Sequence, residues 1–143
     1  MADSAPSAPL RCVIVTPEST SLDTRARSVM LPLDDGQLGV ARGHSPLIGR
    51  LGAGEVTITG EQGGPSDAVR RIFVEGGFVE VGHESVTVIT QRAIPSEKID
   101  VGQARAELER ISGGKAAGDE EIAAKLKAQS AARAILRTAG RSR

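Results

Sequence analysis

An antiparallel β-sandwich followed by a C-terminal αα-hairpin is the fold class this sequence predicts, and three observations predict it. From Leu10 to about Ile94, short runs of aliphatic and β-branched residues are separated by turn signals roughly every 8 to 12 residues. After Pro95 the hydrophobic period lengthens from two to about 3.6, and the composition shifts to Ala, Glu, Lys and Arg. Phe73 and Phe78 are the only aromatic residues among 143, so the core must be built from Val, Ile and Leu. The same scarcity removes the ring platforms on which single-stranded nucleic acid stacks.

The strand candidates are Leu10–Thr16, Ser28–Leu33, Gln37–Ala41, Leu47–Leu51, Glu55–Thr59, Val69–Glu75, Phe78–Val81 and Val86–Thr90. Asp35-Gly36, between Leu31/Leu33 and Leu38/Val40, predicts a hairpin closed by a type I′ turn, which needs positive φ at its central residues. Gly60 to Asp67 reads as a longer loop, Gly76-Gly77 as a bulge or tight turn, and Gly82-His83-Glu84-Ser85 as another turn. Asp100 followed by Gln103 predicts an N-cap with a reciprocal cap. Val101, Ala104, Leu108 and Ile111 then mark one helical face, and Gly113-Gly114 stops the helix. A second helix starts at Asp119, with Ile122, Leu126, Ala132, Leu136 and Ala139 as its expected apolar stripe. The expected domains are a disordered extension over 1–9, the sandwich over 10–95 and the helical hairpin over 96–143. A hairpin this small has little core of its own, so it must pack on something or move.

Few chemistries fit these residues. His44 and His83 belong to no metal-ligand pattern such as H-E-x-x-H, and Asp34-Asp35 lacks the further oxygen ligands of a calcium loop. Gly49, Gly52 and Gly54 open no helix, so they make no phosphate cradle. Cys12 is the single cysteine, which excludes an internal disulfide and fits a reducing compartment. No catalytic residue, metal or cofactor is expected. No run approaches the roughly 18 apolar residues of a membrane span, and Met1 to Pro9 carries no targeting signal.

Charge is distributed unevenly although the net is zero. Residues 1–95 carry 8 basic and 11 acidic side chains, and residues 96–143 carry 10 basic and 7 acidic. From Ile122 onward Lys125, Lys127, Arg133, Arg137, Arg141 and Arg143 occur with no acidic residue. Like charges at multiples of four repel by roughly 0.2–0.5 kcal/mol per pair. Complementing the helix dipole in water and docking on an acidic protein surface account for this stripe equally well. A membrane surface fits less well, since the apolar face lacks bulky aromatics.

Five collinear segments resemble the epsilon subunit of bacterial F-type ATP synthases, the equivalent of the mitochondrial delta subunit. They are Val15-Thr16-Pro17-Glu18, the stretch from Leu31 to Val40, Gly43-His44-Ser45-Pro46-Leu47-Ile48, the stretch from Phe73 to Val81, and Val86-Thr87-Val88-Ile89. The resemblance implies a flattened sandwich of about ten strands and a non-catalytic rotor role in the central stalk, coupling ion transport to ATP synthesis. It implies a peripheral location on the cytoplasmic face of the bacterial plasma membrane. By position, Asp34, Asp35, Gly36 and Gln37 would touch the membrane c-ring, and Gly43, His44, Ser45, Pro46, Leu47 and Ile48 would face the gamma subunit. An extended hairpin would set Lys125, Lys127, Arg133 and Arg137 against an acidic segment of the beta subunit and resist ATP hydrolysis. Two positions depart from the family pattern. Gln37 stands where many relatives have Glu, and Gln103-Ala104-Arg105 interrupts the Asp-x-x-Arg-Ala pattern of ATP-binding relatives, so ATP is not an expected ligand.

The competing reading is a free-standing ligand-binding or enzymatic β-sandwich with a basic helical tail, which requires a pocket with convergent polar groups around His44 or His83. A generic scaffold whose tail binds anionic surfaces is a third.

Overall fold

The computed structural model describes residues 9–141, so Met1 to Ala8 of the expected N-terminal extension and Arg143 of the basic stripe lie outside the described residues. Nine strands form the sandwich: β1 Leu10–Val15, β2 Thr20–Leu33, β3 Gly36–Ala41, β4 Leu47–Arg50, β5 Ala53–Glu61, β6 Val69–Glu75, β7 Phe78–Val81, β8 Ser85–Ile89 and β9 Ala93–Pro95. A 3-10 turn over Ser96–Lys98 leads to helices α1, Val101–Gly113, and α2, Asp119–Arg141. The hydrogen-bonded order is β4-β7-β8-β1-β2-β5-β6-β9, with β3 beside β2. Nine strands among the described residues agree with the expected sandwich of about ten, and the pairing is antiparallel except that β1 and β8 run parallel with Cys12 opposite Val86.

Strand β2 organises both layers. Its first half pairs with β1 and its second half with β3 and β5, and Ala26 at the changeover is opposite both Leu10 and Glu61. The sequence pattern showed only the second half, since Thr20 to Arg25 sets a single half-buried Leu among polar residues and the first buried residue of the strand is Ala26. Inside, the period-two pattern holds: Leu10, Cys12, Ile14, Val79, Val81, Val86 and Val88 point inward and are buried. Strand β6 breaks that alternation. Ile72, Phe73 and Val74 are all buried, Ile72 and Val74 in the inter-sheet core and Phe73 in a second cluster with Ile99, Ala131, Ala134 and Ala139. The hairpin therefore lies down on the outer face of β5 and β6, with Phe73 beneath it.

One turn differs from expectation in its backbone, and the Gly76-Gly77 turn matches it. The β2–β3 loop consists of Asp34 and Asp35, with Leu33 paired to Gly36. Only Gly36 has positive φ, at 135°, so the turn is not type I′. The Gly76-Gly77 link is a tight turn that carries the chain from one layer to the other, with φ of 67° and 103°. At this end the layers are laced by backbone bonds: Leu51 N–H donates to Gly77 C=O at 2.8 Å, Gly52 N–H to Pro32 C=O at 2.9 Å and Asp34 N–H to Arg50 C=O at 3.0 Å.

The Asp100 carboxylate accepts from the Gln103 N–H at 3.0 Å, as an N-cap should. Replacing Asp100 by Ala is expected to weaken α1 by about 1 kcal/mol, read as faster amide hydrogen exchange over its first turn with the sandwich amides unchanged. Helix α2 seats with Ala131, Ala134, Thr138 and Ala139, all buried. Of the expected stripe, Ala132 and Ala139 are buried, but Ile122 and Leu126 are 44% and 59% exposed. Ile122 and Leu126 lie roughly half a turn round the helix from the buried face of Ala131, Ala134 and Thr138, so they meet water while Ala124, Lys127 and Ala128 face the sandwich.

Candidate functional site: surfaces of the sandwich and hairpin

The predicted segments fall on separate surfaces. Asp34 and Asp35 form the turn at the laced end, while Gly36 and Gln37 already belong to β3. Asp34 lies 4.0 Å from the Arg50 guanidinium in an exposed ion pair. Residues 43–46 sit at the opposite end of β3, about 20 Å away at the rise of an extended strand. There Gly43 N–H donates to His83 C=O at 2.6 Å, and Arg42 pairs with Glu84 at 2.8 Å. His44 Nδ1 lies 2.7 Å from the Ser45 carbonyl, and His83 is exposed in its turn. Neither histidine lines the clefts between hairpin and sandwich.

Within the 43–48 segment, Leu47 turns toward the core, where it packs half-buried, and Ile48 turns outward at 75% exposure. Register extends this outward face. Arg50 is opposite Phe78 and Ile48 opposite Glu80, so Ile48 and Phe78 are diagonal neighbours. Phe78 is opposite Ile89, and Ile89 is opposite the half-buried Val15 on β1. Phe78 and Ile89 are 52% and 54% exposed, and the Arg50 guanidinium lies 5.9 Å from the Phe78 ring centre. The result is an apolar strip, Ile48–Phe78–Ile89–Val15, across the outer face of β4, β7, β8 and β1. Phe78 and Ile89 were not among the expected contacts. Alternation was the available signal, because Val79 and Val81, or Val86 and Val88, can face inward only if Phe78 and Ile89 face out.

The basic residues of α2 divide. Lys125 Nζ donates to the Gly114 carbonyl at 2.8 Å, and Gln129 Nε2 to Ser112 Oγ at 3.1 Å, so Lys125 fastens the α1–α2 turn. Lys127 lines a groove between α2 and the laced end, together with Asp34, Arg50 and Phe78. Arg133 and Arg137 are exposed and make no ion pair among the described residues. The docked hairpin thus leaves three of the four expected basic contacts, Lys127, Arg133 and Arg137, exposed and without an ion pair among the described residues.

A cleft of about 510 Å³ separates the hairpin from the sandwich, lined by Glu75, Arg92, Ile94, Lys98, Gln103, Glu107 and Ile135 among others. Arg92 Nη2 donates to Glu75 at 3.1 Å and the guanidinium lies 5.6 Å from the Phe73 ring centre. Among the described residues no group of His, Cys, Asp or Glu could hold a metal ion, and no helix is long and apolar enough to cross a membrane.

This arrangement is that of a β-sandwich with an appended helical hairpin whose most prominent feature is an exposed apolar strip. The sequence profile of the ATP synthase Delta/Epsilon chain beta-sandwich domain matches residues 9–96. The chain belongs to the delta/epsilon family of ATP synthase subunits. It is 47% identical over 98 residues to the ATP synthase epsilon chain of Rhodopirellula baltica, covering 66% of this chain and 70% of that one. It is 35% identical over 134 residues to the epsilon chain of Synechococcus elongatus, covering 89% and 92%. A chain from the Euglena gracilis mitochondrial ATP synthase shares the fold, with a TM-score of 0.73 at 20% identity over 98% of this chain and 84% of that one.

Proposed function

We propose that this epsilon-family chain is a non-catalytic central-stalk subunit that works by binding other subunits of an F-type ATP synthase at the membrane surface. The observation that carries the reading is the strip Ile48–Phe78–Ile89, solvent-exposed on an otherwise well-alternated sheet. Aligned large apolar residues rimmed by charge mark protein interfaces, and on this reading the strip and the adjoining 43–48 segment bind gamma. The turn of Asp34 and Asp35, with Gly36 and Gln37, lies about a strand length from the 43–46 end of that segment and is the contact for the c-ring. Released from the sandwich, α2 would set Lys127, Arg133 and Arg137 against an acidic segment of beta and resist hydrolysis. Lys125 contributes by holding the hairpin together. Gln103 stands where the ATP-binding pattern has Arg, so ATP is not expected as a ligand of the hairpin.

The test is a pull-down with the cognate gamma subunit and c-ring, followed by ATP hydrolysis with and without the chain. Stoichiometric binding that survives high salt is expected, because apolar contacts are not screened. Truncation after Pro95, or joint neutralisation of Lys127, Arg133 and Arg137, is expected to raise hydrolysis several-fold while binding is kept. Failure to bind either partner refutes the rotor reading, and an unchanged hydrolysis rate refutes the inhibitory role of the basic residues.

A further inference from the structure

We infer that Arg92 is the clasp that holds the helical hairpin against the sandwich, an inference that rests on the hairpin release proposed above. The seat itself is thin. Helix α1 has no buried residue, and the buried part of α2 in this seat is Ala131, Ala134 and Ala139, with Ile135 and Val101 packed half-buried beside them. Alanine buries little apolar area, so hydrophobic adhesion per residue is small. The 510 Å³ cleft beside this seat leaves α1 and the sandwich facing one another across water. Polar attraction across the cleft therefore weighs heavily in the docking equilibrium.

Arg92 is placed to supply it. Its guanidinium is fixed from the sandwich side by Glu75 at 3.1 Å and by the face of Phe73, which is itself buried under the hairpin. Opposite, on α1, Glu107 lines the same cleft. The Glu107 carboxyl is held below its ordinary range chiefly by its hydrogen bond from Arg110; burial opposes this, and the charges of Arg110 and then Arg92 add to it. Arg92 thus attracts α1 while remaining anchored to β6, and Phe73 is shielded only while the hairpin is down. Such a clasp weakens with ionic strength, unlike the apolar strip.

The experiment places spin labels on Ser19→Cys and Ala123→Cys of the full chain, both at exposed positions. Native Cys12 is fully buried, and burial, followed by the charges of Glu61 and Asp23, pushes its thiol up to about 12, so it stays unlabelled. Distance distributions are measured for the labelled parent, Arg92→Gln, Glu107→Gln and the double variant. Each single variant is expected to raise the undocked-to-docked ratio about five-fold, and the double variant no further than either single one. High salt should reproduce the effect in the parent and not in Glu107→Gln. Ala134→Glu, which wedges the buried seat, is the control for release itself. If it opens the hairpin while Arg92→Gln and Glu107→Gln do not, or if those two add independently, the clasp is refuted and release stands. If Ala134→Glu leaves the hairpin down, release and clasp both fall.

Discussion

Phe78→Asp is expected to weaken binding to gamma by about 100-fold or more, measured by calorimetry or surface plasmon resonance on the isolated pair. The reasoning starts from position: Phe78 sits at the middle of the strip, flanked by Ile48 on the diagonal and by Ile89 directly opposite. Central aromatic residues dominate interface energies, with truncations costing about 2 kcal/mol or more, and a buried unpaired carboxylate adds its desolvation penalty. Stability of the free chain should change by no more than about 1 kcal/mol, because the ring is already 52% exposed and gives up its contact with Arg50 and part of its packing on the neighbouring strip residues. Ile48→Asp, nearer the rim, should cost less than Phe78→Asp. Unaltered affinity in both variants would refute the strip as the proposed gamma contact.

The second large effect concerns folding. Gly77→Ala is expected to destabilise the chain by about 3 kcal/mol or more, enough to lower the thermal midpoint by roughly 10 °C. A Cβ at Gly77 would stand 1.9 Å from the Ile89 carbonyl oxygen and 3.0 Å from Thr90 Cα, and its φ of 103° disfavours any L side chain. The obstruction is backbone on both counts, so no rotamer change relieves it. Gly76→Ala is the control, with φ of 67° and nothing within 4 Å. It should cost only the left-handed penalty of about 1 kcal/mol. Equal losses in the two variants would show that conformation, and not the close approach to Ile89, governs this crossing.

Much of the sandwich was legible because alternation and turn residues are local signals. Leu10/Cys12/Ile14 and Val86/Val88 announce their inward faces without knowledge of their neighbours. What was not legible depended on partners distant in sequence. The first half of β2 is polar because it lies at the rim, and it becomes a strand through pairing with β1. Strand β9 is three residues long and is defined by its register with β6. The parallel match of β1 with β8 joins segments more than 70 residues apart, beyond what any local pattern specifies. The stripe on α2 was misjudged for a related reason. Periodicity reports which residues could share a face, whereas the sandwich takes the face of Ala131, Ala134 and Thr138 and leaves Ile122 and Leu126 on the opposite side. One clue to the docked hairpin was present, since Ile72-Phe73-Val74 is a continuous apolar run in a sheet that otherwise alternates.

The 14-residue length of β2 has a mechanical consequence. A load applied at the Asp34-Asp35 turn enters the strand end-on and is carried by covalent backbone from one layer into the other. Its hydrogen bonds to β1, β3 and β5 lie across the direction of pull, so they are strained together in shear and not unzipped one by one. Side-chain packing between the layers need not bear that force. The sandwich would then twist as a stiff single piece.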